Sequence, residues 1–153
     1  MDLNELVSKY QKKISNDSLL IEYKLFFDNI AKGYCRFAID ECDELEQLND
    51  IILKIKEKDK NAQIYVCTYG VDYMDNGIHI YGDTLWIDTI IDIEKMYGFF
   101  KNSREIEPSD IALFDEAIDG IVYLVISADG KVEDYKSFIE NRQLDKIKSL
   151  YWD

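Results

Sequence analysis

Apolar residues recur along this chain with two periods, and the change from one to the other predicts its elements. Leu3, Leu6, Val7, Tyr10 and Ile14 fall at helical spacing with lysines on the opposite side, which predicts a short amphipathic helix. Asn16, Asp17 and Ser18 end it. From Leu19 to Phe27 the odd positions Leu19, Ile21, Tyr23, Leu25 and Phe27 are apolar while Glu22 and Lys24 point the other way, the period-two pattern of a strand. Leu19, Tyr23, Phe26, Ile30 and Tyr34 also satisfy a period of 3.6, so a helix competes for the same residues. The strand is preferred because Asp28-Asn29 and Gly33 supply a turn, after which Cys35, Phe37 and Ile39 resume the alternation.

Asp40 to Asp59 opens with acids and closes with lysines, the order that complements a helix dipole, and Leu45, Leu48, Ile52 and Ile55 form its inner stripe. Ile64 to Tyr69 reads as a strand, and Asp75-Asn76-Gly77 as a tight turn, because Asn-Gly readily takes positive φ. Ile78–Tyr81 and Thr84–Ile87 are the expected returning strands, separated by Gly82-Asp83. Asp88 or Thr89 is the expected cap of a helix through about Phe100, with a loop at Asn102-Ser103. Pro108-Ser109-Asp110 reads as another helix start, leading into Ile111, Leu113 and Phe114. Ile121 to Ile126 is an apolar, β-branched run expected as a strand buried on both faces, Asp129-Gly130 turns the chain, and a helix over about Ile139 to Tyr151 closes it. With no internal repeat or linker, residues 1–153 are expected to form one α+β domain, a mixed or mainly antiparallel sheet flanked by helices.

The composition, 47% hydrophobic and 13% aromatic with one proline, supports folding throughout. The N-terminal stretch places acids ahead of its lysines and lacks the basic-then-apolar order of a secretory signal; no apolar run approaches the roughly 18 residues of a membrane span, so a cytoplasmic location is expected. Cys35, Cys42 and Cys67 are odd in number and widely spaced, which points to reduced thiols rather than disulfides or a zinc knuckle.

The formal charge of −13 is unevenly spread. Residues 61–130 hold 13 acids against 3 bases, and no Lys or Arg lies between Lys60 and Lys95. A one-signed field of this kind repels nucleic acid and anionic membranes and speeds encounter with basic protein surfaces.

Catalytic and metal motifs are sparse. A single histidine, His79, excludes most imidazole-based constellations, and it is read as a structural or hydrogen-bonding residue of a strand. There is no nucleophile elbow and no glycine-rich phosphate loop. Asp40-Glu41-Cys42-Asp43-Glu44 is read as carboxylates favouring a helix N-terminus. Ser127 to Lys131 partly matches a calcium loop, but placing Gly130 at the sixth position puts Val125 first and Lys136 twelfth, where carboxylates are required. Neither a metal nor a cofactor is expected. A carboxylate-based hydrolase or metal-dependent enzyme stays open as an alternative, because 31 acids make close carboxylate pairs easy to assemble.

The most informative stretch runs from Tyr69 to Asp88, YGVDYMDNGIHIYGDTLWID. It interleaves Tyr69, Tyr73, Tyr81 and Trp86 with Asp72, Asp75, Asp83 and Asp88, without a compensating cation. Aromatic anchors supply rigid contact area, and carboxylates pair with Arg or Lys across an interface, so these eight residues are the candidate partner-binding set. A plain hairpin with its aromatics in the core would produce the same alternation.

A small acidic domain with such a hairpin, and with the segment GDTLWIDT from Gly82 to Thr89, resembles the immunity proteins of bacterial toxin systems, including those of contact-dependent growth inhibition. The resemblance implies a non-enzymatic antitoxin that binds a cognate toxin domain, a basic nuclease being the expected kind, and occludes its active or substrate-binding surface.

Overall fold

A computed structural model describes residues 2–10, 18–114 and 124–153. Its elements run α1 Leu3–Lys9, β1 Leu19–Glu22, α2 Tyr23–Ala31, β2 Cys35–Phe37, α3 Cys42–Lys58, β3 Gln63–Met74, β4 Gly77–Asp88, α4 Ile93–Gly98, β5 Asp110–Leu113, β6 Leu124–Ile126, β7 Val132–Asp134, α5 Tyr135–Ile139 and β8 Ile147–Tyr151. The strands form one sheet in the order β5-β8-β4-β3-β1-β6-β7, with β2 attached to β4. β1/β6 and β2/β4 are parallel and the remaining pairs antiparallel, the mixed α+β architecture expected from the chain.

Both faces of the sheet are buried, unequally. On the main face Leu19, Ile21, Val66, Ile80, Leu85 and Leu150 meet Leu3 and Val7 of α1, Phe26 of α2, and Leu48, Ile52 and Ile55 of α3. On the second face Leu20, Tyr65, Trp86, Phe114 and Ile147 pack against Tyr135 and Phe138 of α5. Arg142 closes the border of this smaller core. Its guanidinium lies 4.1 Å from the Phe138 ring centre, donates to Gln63, and forms a 2.8 Å salt bridge with Asp88. The long hairpin β3–β4 spans both regions, and its turn places Gly77 at φ +126, as the Asn-Gly signal requires.

Five expected boundaries are corrected. Leu19–Phe27 is a strand only as far as Glu22; that side chain then accepts from the Leu25 backbone N–H at 2.8 Å and caps α2, which buries Tyr23, Phe26 and Asn29 at helical spacing. Ile78–Tyr81 and Thr84–Ile87 are one strand, carried through Gly82-Asp83 by a bulge. The helix expected from Asp88 or Thr89 begins at Ile93 under an Asp92 cap, because Asp88 is still in β4 and the Thr89 hydroxyl donates to Asp59 at 2.6 Å. Pro108-Ser109-Asp110 starts a strand, since β8 offers it a partner and the alternation sends Ile111 to one core and Phe114 to the other. The closing helix gives way to α5 and to β8, which lies between β4 and β5 and buries Lys148, whose Nζ donates to the Thr89 carbonyl at 2.7 Å. Of the run from Ile121 to Ile126, residues 124–126 form β6, buried throughout, and the rest lies outside the described residues, as does Ile14.

Candidate functional site

The hairpin carries two bulges side by side. In its register Cys67 opposes Thr84, Thr68 opposes Gly82, and Gly70 opposes Tyr81, so Tyr69 and Asp83 are the residues each strand skips. The packing beneath fixes this position. A Cβ on Gly82 would stand 2.5 Å from Cγ1 of Val66 and 3.2 Å from Cζ of Phe26, so only glycine lets β4 approach the core this closely. The bulge also marks where β4 changes neighbours: Trp152, just beyond β8, donates its backbone N–H to Asp83 O at 2.9 Å, and Ala38, just beyond β2, donates to Gly82 O at 2.9 Å.

The consequence is a tyrosine and carboxylate face beside the second core, with no described element packed over it. Tyr69 is 59% exposed, and its ring lies 6.1 Å from that of Tyr81. Asp72 pairs with His79 in register, which places it diagonal to Tyr81; partial burial and this neighbouring carboxylate both push the Tyr81 hydroxyl pKa up. Asp83 accepts from the Thr84 hydroxyl at 2.8 Å, yet burial dominates and raises its carboxyl above the ordinary range. The partly buried Cys67 thiol is pushed up to about 12, chiefly by desolvation with help from Asp83, so it stays protonated and unsuited to nucleophilic or metal chemistry. Tyr151 of β8 extends the face, opposite Thr84 on one side and Asp110 on the other. The Asp153 carboxylate, 3.5 Å from its hydroxyl, is the main cause of its raised pKa. The hydroxyls of Tyr81 and Tyr151 therefore remain protonated donors set among carboxylates.

Neither β3 nor β4 contains a Lys or Arg. Arg36 of β2, opposite Tyr81 in register, stands at one border of the face.

Of the eight candidate residues, the structure brings Tyr69, Asp72, Tyr81 and Asp83 together. Asp75 is exposed in the hairpin turn, and Tyr73 opposes Ile78, a residue of the main core, so it sits on the other side of the ribbon. Trp86 and Asp88 are corrected. Trp86 is fully buried, its indole N–H donates to the Tyr135 hydroxyl at 3.3 Å, and Asp88 is occupied by Arg142. Both share the strand face of Thr84, but α5 and Arg142 cover that stretch. Tyr151, Asp110 and Asp153 escaped the sequence reading because they join the face only through the pairing of β8 with β4 and of β5 with β8. The one local signal was Tyr151-Trp152-Asp153, where exposed and buried residues alternate.

Among the described residues no three His, Cys, Asp or Glu side chains converge to hold a metal ion, and no helix is long and apolar enough to cross a membrane. No family model, curated protein or solved structure matches the chain.

Proposed function

We propose that this chain is a binding protein of the immunity type, which neutralises a cognate toxin domain in the cytoplasm by laying its tyrosine and carboxylate face over a basic active or substrate-binding surface. The observation that carries the reading is the pair of bulged residues: Tyr69 turned out into solvent and, beside it, Asp83 held half-buried with a raised pKa and, among the described residues, no cation paired with it. An ionised carboxylate in that position is poorly solvated in the free protein. An incoming Arg or Lys relieves this by a charge-assisted hydrogen bond, while Tyr69, Tyr81 and Tyr151 supply rigid contact area around it. The lopsided negative charge speeds the encounter, and a nuclease that binds phosphates presents the matching surface.

Capture of the partner from the native cell by wild-type chain, Tyr69→Ala and Asp83→Lys tests the reading. Both variants are expected to lose at least about tenfold in affinity for the captured protein, the effect of a central anchor. Unchanged binding by both would move the interface elsewhere. Calorimetric titration with magnesium, manganese and calcium separates this reading from the carboxylate-enzyme alternative, which requires a heat of binding that Asp72→Asn or Asp83→Asn abolishes.

A further inference from the structure

The connection from β4 to α4 is held at every polar group of Thr89. Its N–H donates to Lys146 O at 3.1 Å, its hydroxyl donates to Asp59 Oδ2 at 2.6 Å, and its carbonyl accepts from Lys148 Nζ at 2.7 Å. The next two residues are bound as well: the Ile90 N–H donates to the same Asp59 oxygen and the Ile91 N–H to the Thr89 hydroxyl, both at 3.2 Å. Asp59, Thr89 and Lys148 are all buried, so a carboxylate and an ammonium are withdrawn from water to fix one short stretch of chain. What that stretch displays is Ile90, 70% exposed, while Ile91 beside it is buried in the main core.

Ile90 lines an open cleft of about 640 Å³. One wall is the start of α4, with Asp92, Ile93 and Glu94; the other is formed by Leu113 of β5 and by Asp145. Leu113 is 49% exposed and shares the side of the sheet on which Ile111 enters the main core, the side opposite the tyrosine face. Asp92, Glu94 and Asp145 are exposed, so carboxylates flank the apolar floor on both walls. Of the lysines that also line the cleft, Lys148 is tied to Thr89, and Lys146 lies near Asp59, whose carboxyl pKa it helps to lower.

From this geometry we infer that the cleft is a docking site for a basic amphipathic helix of a partner protein, with Ile90 as its central anchor. A helix carries an apolar stripe with polar side chains on both flanks. Its stripe can cover Ile90, Ile93 and Leu113 while Lys or Arg on one flank reaches Asp92 and Glu94 and on the other reaches Asp145. An extended segment sends alternate side chains away from the protein and cannot serve both rims from one apolar face. Because Ile90 is already fixed in place, docking orders little that was free. A second copy of this chain is a poor occupant: three apolar side chains fall short of the roughly 800 Å² per partner of a stable dimer, and carboxylates would meet carboxylates. The site stands on the other side of the sheet from Tyr69 and Tyr81 and does not rest on the role proposed for them.

Three capped peptides test this, titrated to about millimolar concentration. The first is the amphipathic Lys-Leu-Ala-Lys-Leu-Leu-Lys-Lys-Leu-Ala-Lys-Leu; the second has glutamate for every lysine; the third is the lysine peptide with a proline at its centre, which breaks the helix. Binding is read from the methyl resonances of the intact chain. The lysine peptide should shift the methyls of Ile90, Ile93 and Leu113, and the other two should bind at least about tenfold more weakly. Any cation is drawn to a chain of charge −13, so the deciding variant leaves the charge alone: Ile90→Ser should lower affinity at least about tenfold with unchanged circular dichroism. Tyr69→Ala should bind the peptide as wild type does, even where it has lost partner capture, which separates the cleft from the tyrosine face. Unchanged affinity in Ile90→Ser, equal binding of the proline or glutamate peptide, or methyl shifts confined to other residues would each overturn the inference. Sedimentation tests the remaining occupant: a wild-type dimer that Ile90→Ser dissociates would give the cleft to a second copy and refute the partner helix.

Discussion

Replacing Gly82 with alanine tests the packing that creates the double bulge. The new Cβ would lie 2.5 Å from Val66 Cγ1, about 1 Å inside an ordinary carbon contact, and 3.2 Å from the Phe26 ring. Val66 and Phe26 are both fully buried, and a β-branched side chain has few alternative rotamers, so neither neighbour yields freely. Either Val66 is forced off its rotamer or β4 lifts from the core; overpacking of this kind destabilises by about 1–3 kcal/mol. For a domain of this length that lowers Tm by roughly 3–10 °C in calorimetry, with a matching fall in the urea midpoint at constant m-value. Gly98→Ala is the control: nothing lies within 4 Å of its added Cβ, and Tm should hold or rise slightly. In Gly82→Ala/Val66→Ala the lost methyls make room, so the double variant should be less destabilised than the sum of the singles. A Tm for Gly82→Ala equal to wild type, or strict additivity in the double variant, would refute the close approach of β4 to the core.

The other expectations concern charge and the two cores. Burial raises the Asp83 pKa, so its contribution to stability is present below the ordinary carboxylate value and lost as pH rises through the folded value. Asp83→Asn should therefore gain a few tenths of a kcal/mol at neutral pH in chemical denaturation, with the gain vanishing in acid. Asp59 has the opposite sign: the Thr89 hydroxyl and the Ile90 and Asn61 amides hold its pKa down, so its stabilisation is present above the ordinary carboxylate range and lost as pH falls through the folded value. Melts of Asp59→Asn should show a lower Tm at neutral pH and a shallower loss on acidification than wild type. Trp86→Ala empties the second core and should cost about 3–5 kcal/mol, whereas Tyr69→Ala, at an exposed ring, should stay within about 0.5 kcal/mol in the same urea titrations.

How much of this was legible depends on whether the deciding contacts are local. The α3 helix combines an acidic start, a basic end and an apolar stripe within its own 17 residues, and the Asn76-Gly77 turn fixes β3 and β4 as a hairpin. Tyr23 to Ala31 satisfied strand and helix periods alike; the Glu22 cap and the packing of Phe26 under Gly82 decided for helix. β5 and β8 were read as helices because short apolar patterns do not announce their partner, and each becomes a strand by pairing with the other and, for β8, with β4. The candidate face divides along the same line. Asp72, Tyr81 and Asp83 share a face through their position in one hairpin, but nothing within the segment foretold that α5 would cover Trp86 or that Arg142 would engage Asp88.

The proposed role requires the field around Asp72 and Asp83 to meet a basic protein. Stopped-flow association of the captured partner with wild-type chain and with Asp72→Lys/Asp83→Lys, over a range of ionic strength, measures it most directly. Wild-type association is expected to be fast and strongly salt-sensitive, and that of the variant at least about tenfold slower at low salt with little salt dependence left. Identical rates and identical salt dependence for the two proteins would contradict it.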